Sequence, residues 1–456
     1  MILNIVIILS IIFTAIKIEK KYKIASPLTL ILLSIFAGLF IPDFLSFTNE
    51  DIFAEEMVIF IVILVLGDAF VLKLKELKEN YISILYLAGI SVAVAITIGI
   101  LSKYIIFQDI NISTGALIAL FAMVTATDPV SVVAVFNQYK LPHKLKFLAE
   151  GESLFNDAVA LTMFSAFGLY LMKGHELTIK YTLMASSEII IGSVFVGVII
   201  GFIGLMLLKT TNDLLGEFIL ILLVAYTAFL IAEHIHVIGH NPLSGLLSEI
   251  VAILTMTTII DKSYEIDNKR LIKEKKIINK MSSEPKKRSR HITRKILNNF
   301  ILDITDIKRQ QDVYKFINVI SLLVNGILFV SLAHIIDFSN LLEYKYEIIA
   351  VFIMTTITRA ILIGVFAISS KFINGIPNID LKWYSVLLFA GIKGGLSIVM
   401  LHIINMTFPE FEHKEMFESI VVGVILLSTF IYVPLMMLTI KLNKKSFLKE
   451  FAEEKH

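Results

Sequence analysis

The sequence predicts an all-α polytopic membrane protein with about 13 transmembrane helices. Composition is the first reason: 57% of the 456 residues are hydrophobic and only 18% are charged, against roughly 25% charged in ordinary soluble domains. Apolar runs are the second. Stretches of about 17 to 25 residues, each long enough to cross roughly 30 Å of hydrocarbon as a helix, recur along nearly the whole chain. The third is that these runs lack the alternation of barrel strands, and in lipid only helices and closed barrels satisfy the backbone. No large soluble domain fits between them.

The elements follow in order. Residues 1–16 open apolar, without the basic start or small-residue cleavage site of a signal peptide, and read as a retained first helix. The basic linker KIEKKYK leads to a second span at 26–42, and the acidic DFLSFTNEDIFAEE (43–56) to a third at 56–72. After KLKELKEN come spans at 81–102, 113–136, 147–172, 183–208, 215–232 and 241–260. Four more are expected at 316–336, 346–370, 383–405 and 417–440. The domain organisation is therefore helices 1–9 in 1–260, a basic loop at 261–315, helices 10–13 in 316–440, and a tail at 441–456.

Charge sets the orientation. With the N-terminus outside, cytoplasmic segments carry 34 of the 41 Lys and Arg, as the positive-inside rule requires. The tail KLNKKSFLKEFAEEKH and the loop are then cytoplasmic. That loop, which includes EPKKRSRHITRK, has two readings: a solvated segment that fixes topology, or a surface for anionic lipid or a regulatory partner. Nucleic acid is not an expected partner. Cysteine is absent, which removes disulfides and thiolate metal sites, and the net charge of +2 says little.

An ionised side chain at mid-bilayer costs about 2.5 to 3.5 kcal/mol even on a lenient scale, so each needs a reason. Those within the spans are Asp68, Asp128, Glu152, Asp157, Glu249, Arg359 and Lys393. Asp128 and Asp157 lie about eight and about ten residues from the cytoplasmic ends of adjacent spans, nearly equal depths at about 1.5 Å per residue. Arg359 and Lys393 also fall near the middle. In EGESLFND (150–157), Ser153 and Asp157 share one helix face while Glu152 and Asn156 share the next. Such a helix offers the oxygen ligands that hard monovalent cations take. In AMVTATDPVSVVAVF, Pro129 removes a backbone donor, so the helix should break around Thr127 and Asp128. GIKGGLS (391–397) marks a second interruption, and interrupted helices at matching positions point to a transport site between inverted repeats. Those repeats would be spans 1–6 and 8–13.

TDPVSVVAVF at 127–136 followed by EGESLFNDAVA at 150–160 resembles the cation–proton antiporter family, on the NhaP-like branch that includes the eukaryotic sodium–proton exchangers. Arg359 and GIKGG extend the likeness across the membrane region, excluding 261–315. The resemblance implies a thirteen-helix homodimer, a core domain moving against a dimerisation domain, and exchange of Na⁺ or Li⁺ for protons without a cofactor or enzymatic step. It implies that Asp157 binds the ion, that Asp128, Thr127 and Ser153 complete the site, and that Asn156 organises it. Glu152 would pair with Arg359, and Asp68 would stand near the ion. Three positions depart from the family pattern: Asp68 and Lys393 stand where glutamate and arginine are common, and Glu249 stands where a small or apolar residue is expected. For Glu249 the one expectation is pairing with a neighbouring span.

Two buried carboxylates close together cannot both ionise cheaply, so such a site takes up a proton or a cation in competition. With Asn156 beside Asp157, and not a second aspartate, the resemblance implies electroneutral one-for-one exchange. Bland readings stand beside these. Asp128 and Asp157 would serve as structural acids at broken helix ends, Thr127 and Ser153 would back-bond to their own helices, and Lys393 would compensate a helix dipole. Rival functions are a potassium–proton antiporter on the same scaffold and a non-transporting membrane sensor. An intramembrane aspartyl protease lacks its second motif here. The cluster His234, His236 and His240 is read as a half-exposed loop in preference to a zinc site, because its spacing fits no ordered metal motif.

Overall fold

The computed structural model describes residues 2–22, 24–41, 50–136, 138–208, 210–211, 213–235, 242–260, 309, 312–332, 335–373 and 376–454. Among them the regular structure is helical, with no β-strand. The order is α1 (Ile2–Tyr22), α2 (Ser26–Phe40), α3 (Glu50–Val71), α4 (Leu74–Tyr104), α5 (Thr114–Thr125), α6 (Pro129–Phe136) and α7 (His143–Met172). There follow α8 (Ile179–Leu208), α9 (Leu214–His234), α10 (Gly245–Ile260) and α11 (Asp312–Leu332). The last are α12 (Phe338–Glu343), α13 (Lys345–Ser369), α14 (Leu381–Phe389), α15 (Gly395–Thr407), α16 (Lys414–Leu442) and α17 (Lys444–Glu453).

Every expected span is present as a helix, and the fifth and twelfth are each split in two, as α5 with α6 and α14 with α15. Among the described residues, eight helical stretches are long and apolar enough to cross a membrane, and shorter apolar helices lie at Ser26–Gly38, Ile59–Val71, Gly245–Ile260 and Gly395–Thr407. Several boundaries differ from expectation: α1 runs on to Tyr22, α4 starts at Leu74 ahead of 81, and α7 and α8 start at His143 and Ile179 ahead of 147 and 183. α3 starts at Glu50, ahead of residue 56, because the acidic run EDIFAEE continues the helix beyond the apolar stretch. α11 starts at Asp312, ahead of 316.

Local chemistry sets several ends. Ser113 caps α5 by accepting from the Ala116 amide at 3.1 Å, Asp213 caps α9 from the Gly216 amide at 2.8 Å, and Asp380 caps α14 from the Trp383 amide at 3.0 Å. Lys20 and Lys21 in the last turn of α1 suit its dipole.

The helices pack as two bodies. α4–α7 and α13–α16 form a core, in which α5 touches α4, α7, α15 and α16. α1–α3 and α8–α11 form a scaffold. In it α8 meets α10 at glycines, since a Cβ on Gly197 or Gly201 would lie 2.5 and 2.7 Å from the carbonyls of Ser248 and Ala252. α11 is pinned to α3 by the stacked rings of Phe70 and Tyr314, 5.9 Å apart, and Gly326 packs against Ile12 of α1. Arg309, ahead of α11, bonds Glu217 of α9 at 2.7 Å. The two bodies meet chiefly where α15 lies on α3.

The tail folds back as α17. Phe447 is buried under it, and Glu450 accepts from the Trp383 indole at 3.0 Å and from Lys382 at the start of α14. Glu454 accepts from the His143 amide at 2.5 Å and the Lys144 amide at 3.4 Å at the start of α7. The tail thus ties together the ends of two core helices. Glu450→Ala is expected to destabilise the fold by about 1–2 kcal/mol, the worth of one or two charge-assisted hydrogen bonds. Thermal unfolding in detergent reads it, with the exposed Lys449→Ala as a control that should not move the midpoint.

Candidate functional site

The fifth span breaks where its proline dictates. α5 ends at Thr125 and α6 begins at Pro129, leaving Ala126, Thr127 and Asp128 unwound. Pro129 holds the first helical position, where a missing amide costs nothing. Asp128 closes that end: Oδ1 accepts from the Val130 amide at 3.1 Å, and Oδ2 accepts from the Ser131 amide at 3.1 Å and from the Ser131 hydroxyl. Orphan amides and the helix dipole both favour a carboxylate there.

The twelfth span breaks at its glycines, between Phe389 and Gly395. The two unwound stretches cross in contact. The Asp128 amide donates to the Ile392 carbonyl at 2.8 Å, and the Ser397 hydroxyl donates to the Met123 carbonyl at 2.7 Å. A Cβ on Gly394 would sit 2.3 Å from Cβ of Asp128, so a side chain there would push the crossing apart.

Each half-helix that ends at the crossing receives a cation on its last carbonyls. Lys393 Nζ donates to the Thr125 carbonyl of α5 at 3.0 Å. Arg359 of α13 donates to the Leu388 and Leu387 carbonyls of α14 at 3.1 and 2.8 Å. The same guanidinium grips Glu152 of α7 with both forks, at 2.6 and 3.0 Å, the geometry only an arginine supplies.

α7 delivers the remaining groups. The Thr127 and Ser153 hydroxyls are 2.9 Å apart, and Ser153 also donates to the Thr127 carbonyl at 3.0 Å. The Asn156 amide donates to the Thr125 carbonyl at 3.2 Å and to the Thr127 hydroxyl at 3.1 Å. Asp157 Oδ1 accepts from the Thr127 amide at 3.3 Å. Asp68 of α3, Thr127, Asp128, Asp157, Gly395 and Leu396 line a single cavity of about 20 Å³. That is room for one water or one small dehydrated cation. A wider cavity of about 520 Å³, bordered by Glu76, His143, Lys146 and Glu150, reaches Asp68 from the face where α4, α7 and α11 begin.

The structure therefore brings Asp68, Thr127, Asp128, Ser153, Asn156 and Asp157 together, and joins Glu152 to Arg359. Asp68 borders both cavities, so it is a neighbour of the pocket and a funnel residue at once. Asp128 combines the two readings the sequence offered, since it caps α6 and faces the cavity. Lys393 sits where it compensates a helix end. The expected partner for Glu249 is not found: the side chain is fully buried in α10 and neither carboxylate oxygen has a hydrogen-bond partner. His234 ends α9, while His236 and His240 lie outside the described residues, as does most of the 261–315 loop. Three contributors were missed. Ser131 was signalled by its place three residues after Asp128, the position whose amide and side chain meet an N-cap carboxylate. Ser428 of α16 accepts from the Lys393 amide at 3.1 Å, and Asn325 of α11 is buried beside Gly395 at the start of α15. Neither is charged and neither lies in the TDP, EGESLFND or GIKGG stretches, so no local signal pointed to them.

Two interrupted helices crossing at a buried carboxylate cluster define the core of a secondary transporter. The sequence profile of the sodium/hydrogen exchanger transmembrane family matches residues 6–240, and the chain belongs to that family. Among its relatives, the Na⁺/H⁺ antiporter NhaH of Halobacillus aidingensis is 27% identical over 247 residues, 52% of this chain and 60% of that one. The Na⁺/H⁺ antiporter ApNhaP of Aphanothece halophytica is 28% identical over 380 residues, 82% of this chain and 62% of that one. The chain thus spans less than two thirds of the length of these curated relatives. The solved structure of the sodium proton antiporter MjNhaP1 from Methanocaldococcus jannaschii at pH 8 superposes with a TM-score of 0.70 at 17% identity, covering 95% of this chain and 99% of that one. The fold is that of this antiporter.

Proposed function

We propose that the protein is a sodium or lithium/proton antiporter working by alternating access, with the cation and the proton competing for the Asp128–Asp157 pocket. The observation that carries this reading is the sharing of one cavity by those two carboxylates at the crossing of the broken helices. Asp157, Asp128, Thr127 and Ser153 are the proposed ligands of the transported ion, with Asn156 holding the unwound stretch and Asp68 at the entrance. Glu152, Arg359 and Lys393 are proposed to keep the crossing rigid. A cation entering the pocket favours ionisation of both aspartates and expels a proton, while a proton on either carboxylate weakens the cation's hold. The core carries one or the other, never neither, which makes exchange one-for-one.

The proposed setting is the cell membrane, with the N-terminus outside and the basic loop and tail in the cytoplasm, supported by the uneven distribution of Lys and Arg. On that orientation the 520 Å³ cavity opens to the cytoplasm. A homodimer through the scaffold is the proposed assembly, on the family resemblance.

The test is dye dequenching in proteoliposomes given Na⁺, Li⁺ or K⁺ across a pH series, with membrane current recorded in parallel. Proton movement with Na⁺ and Li⁺ and no current is expected. A response to K⁺ alone would replace the substrate assignment, and a sustained current under a sodium gradient would overturn the one-for-one stoichiometry.

A further inference from the structure

A further cavity, of about 40 Å³, meets the crossing from α4, α13 and α16. Its wall includes Ala95 of α4, Arg359 of α13, Tyr432 of α16, and Asn156 and Lys393 from the crossing itself. None of the proposed ion ligands lines it. Leu87, also in the wall, lies in a π-helical turn of α4 at Leu85–Ile90, a feature frequent at functional sites.

The polar groups here have hydrogen-bonding capacity to spare. Asn156 gives its amide hydrogens to the Thr125 carbonyl and the Thr127 hydroxyl, while its Oδ1 is buried without a hydrogen-bond partner among the described residues. Lys393, also buried, reaches the same Thr125 carbonyl with one of the three hydrogens of its ammonium group. The Arg359 side chain stays 15% exposed although both its forks hold Glu152. Its helix also exposes Ile353, Ile357 and Ile361, so this guanidinium belongs to a span that meets hydrocarbon. A charged side chain open to lipid at that depth is costly. Water removes the penalty.

Size and chemistry select the occupant. A buried water needs about 10–15 Å³ and about two to four polar partners, so a cavity of about 40 Å³ has room for roughly two or three. A cation is disfavoured beside Lys393 and Arg359, and an anion beside the Asn156 oxygen and Glu152, which also borders the space. A neutral molecule that both donates and accepts satisfies them all. We propose that this cleft is a hydration site, in which water bridges the Lys393 ammonium group to Asn156 Oδ1 and solvates the open edge of Arg359. A donor on Oδ1 also fixes which way round the amide lies, with its hydrogens toward the unwound stretch. The hydration does not depend on which ion the Asp128–Asp157 pocket carries.

Hydroxyl radicals made by an X-ray pulse arise from water where it lies, so side chains against trapped water are oxidised as though exposed. In purified protein, Tyr432 and Leu87, 4% and 2% exposed, should be oxidised several times faster than Phe121, which is buried against Gly99, after correction for intrinsic reactivity. Ala95→Val fills part of the space with a branched side chain and should return both rates to that of Phe121. Ala95→Ser should leave them raised. Ser91→Val, on the same wall, takes its place should Ala95→Val fail to fold. Wild-type rates no higher than that of Phe121 would show the cleft to be dry and overturn the assignment. Raised rates that survive narrowing of the cleft would put the water elsewhere and overturn it equally. Neither outcome bears on sodium-driven proton flux, which tests the antiporter reading separately.

Discussion

Asp157→Asn should reduce sodium-driven proton flux in proteoliposomes to that of protein-free vesicles while leaving the protein folded. The substitution changes little volume, and the contact that holds Asp157 in place, its Oδ1 accepting from the Thr127 amide at 3.3 Å, is one an asparagine oxygen makes equally well. What disappears is the negative charge and the proton-accepting oxygen. A neutral amide in the pocket lowers cation affinity and has no proton to exchange. Stability should change by less than about 0.5 kcal/mol, as for substitutions that strand no group. Flux persisting in the variant would show that the pocket has been assigned to the wrong carboxylate.

Arg359→Ala should behave in the opposite way, as a loss of fold. It removes both forks from Glu152, a 2% exposed carboxylate, and uncovers the Leu387 and Leu388 carbonyls at the end of α14. A buried charge left without its partner costs about 3–5 kcal/mol in comparable soluble cases. The expected readout is a markedly lower thermal midpoint and loss of monodisperse protein in detergent. Glu152→Gln should destabilise in the same direction by stranding the guanidinium. The double variant Glu152→Gln with Arg359→Gln should recover part of the loss, because no ion remains unpaired. A single variant as stable as the wild type would mean the pair contributes nothing to the fold.

Much of this was legible because membrane burial makes local signals loud. A proline after Asp128 can only interrupt its helix, and the three glycines around Lys393 can only weaken theirs, so both breaks were readable from the chain. The pairing of Glu152 with Arg359 was implied by the family resemblance and by no local feature of either stretch. Other features depend on how the two breaks cross, which no single stretch encodes. Lys393 reaches the carbonyl of Thr125, more than 260 positions away, and that contact exists because Gly394 lets Asp128 come close. The tail reads from the sequence only as a cytoplasmic segment, yet Phe447 and Glu450 dock it on α14, a contact set by tertiary position.

The bidentate arginine and the lysine at the helix ends have a consequence for the charge of the core as a whole. Its crossing holds three acids, Asp128, Glu152 and Asp157, against two bases, Arg359 and Lys393. With all five ionised, the sum is one negative charge. A lone alkali ion or a lone proton brings that sum to zero, and an empty pocket does not. On the proposed antiport cycle, dragging an unbalanced charge past the mostly apolar faces of α3 and α11 is the expensive stroke, so vacancy itself would be the brake that keeps that cycle from slipping.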